Sequence, residues 1–451
     1  ASQYLRTELS SPLIELKDQA FLQLEFLLRR SQFQRLRWSW QQAMMKYTIL
    51  LPCLFAAGVV LHLLIVNTTG YFALPADFDS ILPSRETLSA IPGIGKSTDN
   101  LQDISNRTLG FQEIFVISLP ERTDKRDAIR LQASVTDLSL TYETGVYGAD
   151  VPAKARPYGM HRTFGEVGCW RSHLNIMQKM VYNRISSALI FEDDADWDVA
   201  LKAQMRQFAL GSRWLINDTD SKAPHSPYGD GWDVLWIGHC SMHSHKSDKR
   251  RWVIRNDPTV PPPGFRGSML KPWDLSYWEK GPHGDNHTRT VFVAGYGFCT
   301  ASWAISLAGA EKILYHLSMS PFSEPVDLGV GNMCQDRFLN MTCIAPFPNI
   351  VGVSKPAGGI ERGSDIGPEG ANRGKSYVRR DTKKDQSKVR VKALSERVVF
   401  STRLNMQRLL NGSTEFESSY PDFTGPLMSL EEIGGAQGHG EYVGELPKPA
   451  T

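Results

Sequence analysis

The chain has 451 residues, 41% of them apolar, enough to bury one large core or two ordinary ones. Fifty Lys plus Arg against 48 Asp plus Glu leave a formal charge of only +2. No nucleic-acid partner is expected, because phosphate-backbone binding shows as a clustered basic surplus, and the Lys/Arg runs here do not interleave with aromatic residues.

Residues 1–46 read as a cytosolic segment, and Tyr47 to Val66 as a single transmembrane helix. The uncharged run of roughly 20 residues, at about 1.5 Å per residue, matches a bilayer core of about 30 Å. Arg29, Arg30, Arg35, Arg37 and Lys46 precede it, while the first charges after it are Asp77 and Asp79. The positive-inside rule then puts the bulk of the chain outside the cytosol, and a buried core helix is the competing reading. Residues 67–110, rich in Pro, Ser, Asn and Gly, read as a stem. Within it Ala90 to Ser97 matches a relaxed P-loop, but Pro83 and Pro92 break the strand that such a loop requires. Asn-x-Ser/Thr sites at Asn67, Asn106, Asn217, Asn286, Asn340 and Asn411 all follow the apolar run, in agreement with a lumenal domain. With Cys53 in the span, five cysteines remain, so at least one thiol is unpaired within the chain; spacing favours a Cys334–Cys343 bridge.

A globular domain is predicted over residues 111–411. Ile114 to Leu119 is a strand, and Pro120 to Arg126 leads into a helix, which is an α/β opening. Arg122 and Arg126, one helical turn apart, are placed to reach a diphosphate from the strand's carboxyl end, or else are surface charges. Gly165 to His173 starts a helix whose core stripe is Val167, Trp170, Leu174, Met177 and Val181. Its Gly-rich start, with Ser172 and His173, faces a ligand or packs structurally. Ala188 to Phe191 is a buried strand that opens into Glu192, Asp193, Asp194, Asp196 and Asp198. So many acids repel one another unless a cation, donors or water offset them, and hard divalent ions prefer such oxygen ligands. The alternative is a solvated turn capping the helix that begins near Val199.

These segments in order resemble glycosyltransferase family 25, which includes bacterial lipooligosaccharide sugar transferases and collagen galactosyltransferases. The likeness lies in Val116 to Arg126, in Gly165 to Met180 (GEVGCWRSHLNIMQKM) and in Ala188 to Asp198 (ALIFEDDADWD), and it continues more loosely to about Asn411. It implies an α/β fold of GT-A type with a mainly parallel central sheet, a nucleotide-sugar donor, a divalent cation (Mn²⁺ or Mg²⁺) and inversion at the anomeric carbon. It places Ser118, Arg122 and Arg126 on the nucleotide side. Asp194 becomes the first metal ligand, with Glu192 or Asp193 touching ribose or metal. The donor implied is a UDP-hexose, with galactose as the sugar moved to a glycan or glycoprotein hydroxyl.

Trp232 to Gly238 is a further strand, and His239 directly after it is a candidate third ligand of the carboxylate-held ion. The His-rich turn through His243 and His245 lacks the spacing of closed zinc sites. Asp257 to Gly284, with Trp273, Tyr277 and Trp278, is an acceptor-side lid or a poorly ordered insertion. Strands are expected at Val291–Val293 and Cys299–Ile305, then a helix from Leu307 to Leu317. An inverting transferase needs a carboxylate to take the acceptor hydroxyl's proton, and Asp327, in a segment resembling the family's late acidic block, is the first choice. Glu324 and Asp336 compete with it. Ser395 to Leu410 docks on the core, and residues 412–451 read as a disordered tail. Its end carries no ER-retrieval tetrapeptide, so a type II Golgi membrane enzyme is expected. A sugar-binding membrane protein without catalysis and a His-centred metallohydrolase are the alternative functions.

Overall fold

The computed structural model describes residues 100–217, 224–267, 275–280, 284–358, 364–366 and 392–443. The expected cytosolic segment, membrane span and P-loop-like stretch lie outside them, as does the stem before Asn100. Among the described residues no helix is long and apolar enough to cross a membrane.

The chain alternates strand and helix at first: β1 (Glu113–Ser118), α1 (Thr123–Val135), β2 (Thr141–Thr144), α2 (Phe164–Asn183) and β3 (Ser187–Glu192). A short β4 (Ala195–Trp197) precedes α3 (Leu201–Leu215). Then follow β5 (Val234–Gly238), β6 (Ser241–Ser244), β7 (Arg250–Ile254), β8 (Arg289–Phe298) and β9 (Ser302–Ser306). Helices α4 (Leu307–Leu314) and α5 (Val326–Gln335) lead to β10 (Cys343–Phe347), β11 (Val351–Lys355) and β12 (Leu394–Glu396). The chain ends on β13 (Glu415–Glu417), β14 (Leu427–Ser429) and β15 (Gly438–Tyr442).

The central sheet has ten strands, in the order β2-β1-β3-β9-β5-β10-β8-β7-β15 with β6 also on β8. The pairs β1–β2, β1–β3 and β5–β10 are parallel. Because β9, β8 and β15 pair antiparallel with their neighbours, they run against the other seven strands. A mixed α/β fold with most strands pointing one way fits the GT-A expectation.

Both faces of the sheet are covered, which is why its inner strands are continuous apolar runs rather than alternating ones. In β3, Ala188 and Ile190 pack in one cluster with Trp170, Leu174, Met177 and Trp303, whereas Leu189 and Phe191 pack in the other with Ile129 and Phe208. Each fully buried Leu, Ile, Met or Phe among them contributes about 1.5–3 kcal/mol through apolar transfer. Helix α2 starts on a capping box, in which Thr163 Oγ1 accepts from Glu166 N and the Glu166 carboxylate accepts from Thr163 N. A methyl group on Gly168 would lie 2.3 Å from the Val146 carbonyl oxygen, so glycine lets the helix start press against the segment after β2.

Two expectations need correction. Residues 412–443 are folded, not a disordered tail: β13 and β14 form a hairpin and β15 joins β7 at the sheet edge. Cys299 to Ala301 is a turn between β8 and β9, not the start of a strand. Cys334–Cys343 is a disulfide as spacing suggested, and Cys240–Cys299 is a second; Cys169 is the free thiol among the described cysteines.

Candidate active site

Parallel strands β1 and β3 end side by side at Ser118 and Glu192. Ligands gather at such carboxyl ends. A cleft of about 100 Å³ opens there, lined by Ser118, Lys125, His173, Glu192, Asp193 and Asp194 among others. A larger cavity of about 590 Å³ adjoins it, sharing Cys169, Glu192, Asp194, Ser364 and Ile366, and adding Asp327, Thr300 and the Cys240–Cys299 bridge.

The acidic turn is held through its backbone. Arg403 donates to the carbonyls of Asp193 and Ala195 at 3.1 and 2.9 Å, and Ser354 N donates to that of Asp194 at 2.7 Å. The side chains then differ sharply. Asp193, buried, pairs with Lys125 Nζ at 2.8 Å; burial pushes its carboxyl above the usual range, an effect Lys125 opposes. Asp194 lines both cavities, and its buried Oδ1 has no hydrogen-bond partner among the described residues. Burial works against charge on Glu192, but His173 and Thr300 outweigh it and hold the carboxyl below its usual range. Thr300 Oγ1 donates to Glu192 Oε1 at 2.7 Å. Asp196 and Asp198 are structural: the first accepts from Gln132 at 3.0 Å and from Ser401 at 2.5 Å, the second from the backbone of Ala200 at 3.1 Å and Phe400 at 2.9 Å.

On the basic side, the residue that reaches the acids is Lys125, which sequence reasoning missed. Its Nζ lies 2.8 Å from both Asp193 and Asp365. Burial disfavours its charge, yet Asp194, Asp193 and Asp365 together raise its pKa. The signal was present: Lys125, Ile129 and Gln132 share the buried stripe of α1. Arg122 pairs with Asp124 and Asp365, while Ser118 lines the cleft beside Asp193 with its Oγ donating to the Leu119 carbonyl at 3.3 Å. Arg126 instead stacks its guanidinium 4.7 Å from the Tyr142 ring centre and lines neither cavity.

Asp327 lines the larger cavity, its Oδ2 accepting from Cys299 N at 2.8 Å. Glu324 is occupied by Asn332 at 2.8 Å, and neither it nor Asp336 lines that cavity. His239 does not serve as a ligand: it is 1% exposed, donates Nε2–H to the Pro346 carbonyl at 2.8 Å, stacks on Phe347 and lines neither cavity. Burial lowers its pKa to about 4. The lid expectation for Trp278 also fails, because it is 1% exposed in the core and donates Nε1–H to Glu441 at 2.8 Å; Trp273 lies outside the described residues.

One further donor group, Cys169, His173 and Glu192, lies close enough to share a metal. His173 Nδ1 accepts from Trp303 Nε1 at 3.3 Å, so its Nε2 carries the proton and offers no lone pair. Burial, then Glu192 and Asp327, push the Cys169 thiol well up, so it stays protonated. His243 and His245 form no such group among the described residues.

Residues 111–329 match the family model described as "Glycosyltransferase family 25 (LPS biosynthesis protein)". The chain is similar to procollagen galactosyltransferase 1 of Danio rerio, 26% identical over 282 residues, which cover 57% of this chain and 39% of that protein. It is similar to procollagen galactosyltransferase 1-A of Xenopus laevis, 26% over 222 residues (46% and 28%). It is also similar to the inactive glycosyltransferase 25 family member 3 of Homo sapiens, 25% over 285 residues (57% and 40%). The matched stretch thus spans two fifths or less of these relatives' own length.

Proposed function

The chain belongs to glycosyltransferase family 25 through residues 111–329, and from that premise we propose that it is a metal-dependent, inverting hexosyltransferase. The donor is a nucleotide sugar, first a UDP-galactose, and the acceptor a hydroxyl on a glycan or glycoprotein. One observation carries the reading: Asp194 presents a buried, unpartnered carboxylate oxygen where two cavities meet, between Lys125 on one side and Asp327 on the other.

That oxygen, with Glu192 beside it, supplies the hard donors that Mn²⁺ or Mg²⁺ takes. A bound cation would offset the charge growing on the leaving diphosphate. Lys125 lines the same cleft and supplies fixed positive charge toward phosphate oxygens, with Arg122 behind it on their shared partner Asp365. Asp193 neutralises Lys125 and orients it rather than binding the ion itself. Asp327, across the larger cavity, takes the proton from the acceptor hydroxyl as that oxygen attacks the anomeric carbon from the face opposite the diphosphate.

A secretory-pathway, type II membrane setting is part of the proposal. It draws support from two disulfides and from the exposure of Asn106, Asn217, Asn286, Asn340 and Asn411. A second reading, sugar binding without turnover, is favoured by the inactive human relative. The test is a screen of nucleotide sugars for nucleotide release with Mn²⁺ and after chelation. Cation-dependent release from one donor supports the transferase; saturable donor binding with no release from any donor supports the second reading.

A further inference from the structure

The turn Cys299-Thr300-Ala301 touches both carboxylates that the reaction would use. Cys299 N donates to Asp327 Oδ2 at 2.8 Å, and Thr300 Oγ1 donates to Glu192 Oε1 at 2.7 Å. The Ala301 carbonyl accepts from Glu192 N at 3.1 Å, so the turn also grips the end of β3. Its conformation is a special one, since Cys299 has φ +64, the left-handed region that residues with a Cβ rarely adopt. Such a geometry persists only where the surroundings over-determine it. Here Trp236 Nε1 donates to the Cys299 carbonyl at 2.7 Å, Cys240 N donates to the Phe298 carbonyl at 2.9 Å, and the Cys240–Cys299 bridge ties the turn to the β5–β6 connection. The bridge itself lines the larger cavity, beside Asp327.

We propose that this turn, pinned by the Cys240–Cys299 disulfide, positions Asp327 and Glu192 across the cavity, with Cys299 and Thr300 as positioning residues for transfer. The proposal rests on the reading of Asp327 as the base. A glycine would adopt the same backbone more readily, but it would leave the turn without its covalent anchor. The amide would then no longer be fixed on Asp327, and a base displaced by about 1 Å loses on the order of a hundredfold in rate.

The test measures transfer kcat and donor KM for the full chain and for C240S/C299S, C334S/C343S, T300V, D327N and C240S/C299S/D327N, each checked for folding by circular dichroism. C240S/C299S is expected to lower kcat at least tenfold with donor KM within twofold, whereas C334S/C343S changes kcat less than threefold. On the D327N background the same cysteine change should lower the residual rate by a smaller factor than in the parent, because only the turn's hold on Glu192 is left to lose. T300V, which keeps the bridge, should lower kcat about fivefold, and it decides the matter if C240S/C299S does not fold. An unchanged kcat in the folded C240S/C299S protein, an unchanged kcat in T300V, or equal losses with and without Asp327 would overturn the proposal. A D327N protein that transfers sugar at the normal rate would instead sink the base assignment on which it stands.

Discussion

Replacing Asp194 with asparagine separates a ligand from a structural acid. The change keeps size and shape but removes the charge. In the folded chain Asp194 Oδ1 satisfies no donor among the described residues, so no hydrogen bond at that oxygen is lost. Lys125 loses one attractive neighbour but keeps Asp193 and Asp365, each at 2.8 Å. Stability should therefore move by no more than about 1 kcal/mol, well short of the roughly 3–5 kcal/mol of a broken buried pair. Activity should fall much further. Losing one preorganised charge contact at a developing anion costs a factor of about 10²–10³, or roughly 2.7–4 kcal/mol of transition-state stabilisation. Nucleotide release at saturating donor and Mn²⁺ gives the rate, and urea unfolding gives the stability. Transfer within tenfold of the parent, or a stability loss above about 2 kcal/mol, would refute the argument.

Lys125→Met removes the ion-pair partner of the buried Asp193 carboxylate; it should cost about 3 kcal/mol in urea unfolding and raise donor KM, and an unchanged stability would count against the pairing. Asp365 sits on both Arg122 and Lys125, where a donor phosphate would have to displace it. Asp365→Asn should thus lower donor KM by roughly threefold, each tenfold being about 1.4 kcal/mol, and a higher KM would show that the acid helps the donor instead. His239 has its pKa lowered from 6.5 to about 4 by burial, so its contribution is present above pH 6.5 and lost as pH falls through 6.5 toward 4. That loss is roughly 3 kcal/mol at full extent. His239→Gln should flatten the fall in urea stability between pH 7 and pH 4.5, and a parallel fall in both proteins would exclude the assignment.

The sheet that carries the site was readable because β1 and β3 are apolar runs broken by polar residues at their carboxyl ends. The resemblance already sets Asp194 apart from Asp193 as the first metal ligand, but the physical difference between them, the approach of Lys125 from α1 to the Asp193 carboxylate, has no local signal in the acidic run. Arg122 and Arg126 stand out in the sequence as a one-turn pair, whereas Lys125 is marked only by the buried stripe it shares with Ile129 and Gln132. Arginine at 126 finds an aromatic face before it can find a phosphate. His239 was misjudged because a histidine after a strand looks the same in sequence whether it meets a cation or the Pro346 carbonyl. The Cys240–Cys299 link, across 59 residues, leaves no local trace. The Gly-rich end misled for a physical reason: a methyl on Gly438 would lie 2.1 Å from Trp252 Nε1, and one on Gly440 would lie 2.3 Å from Trp214 Cε2. A composition that suggests disorder is there what lets the backbone lie against two indoles.

That last strand also changes what the molecule shows to other chains. Strand β7, with Trp252, Val253 and Ile254, would be an apolar border whose free amides and carbonyls invite a foreign strand. With β15 laid against it, the outermost ladder becomes Gly-His-Gly-Glu-Tyr, short and polar, a poor template for intermolecular pairing. A fragment ending near Asn411 would uncover that border, so self-association rather than lost chemistry would be its first defect.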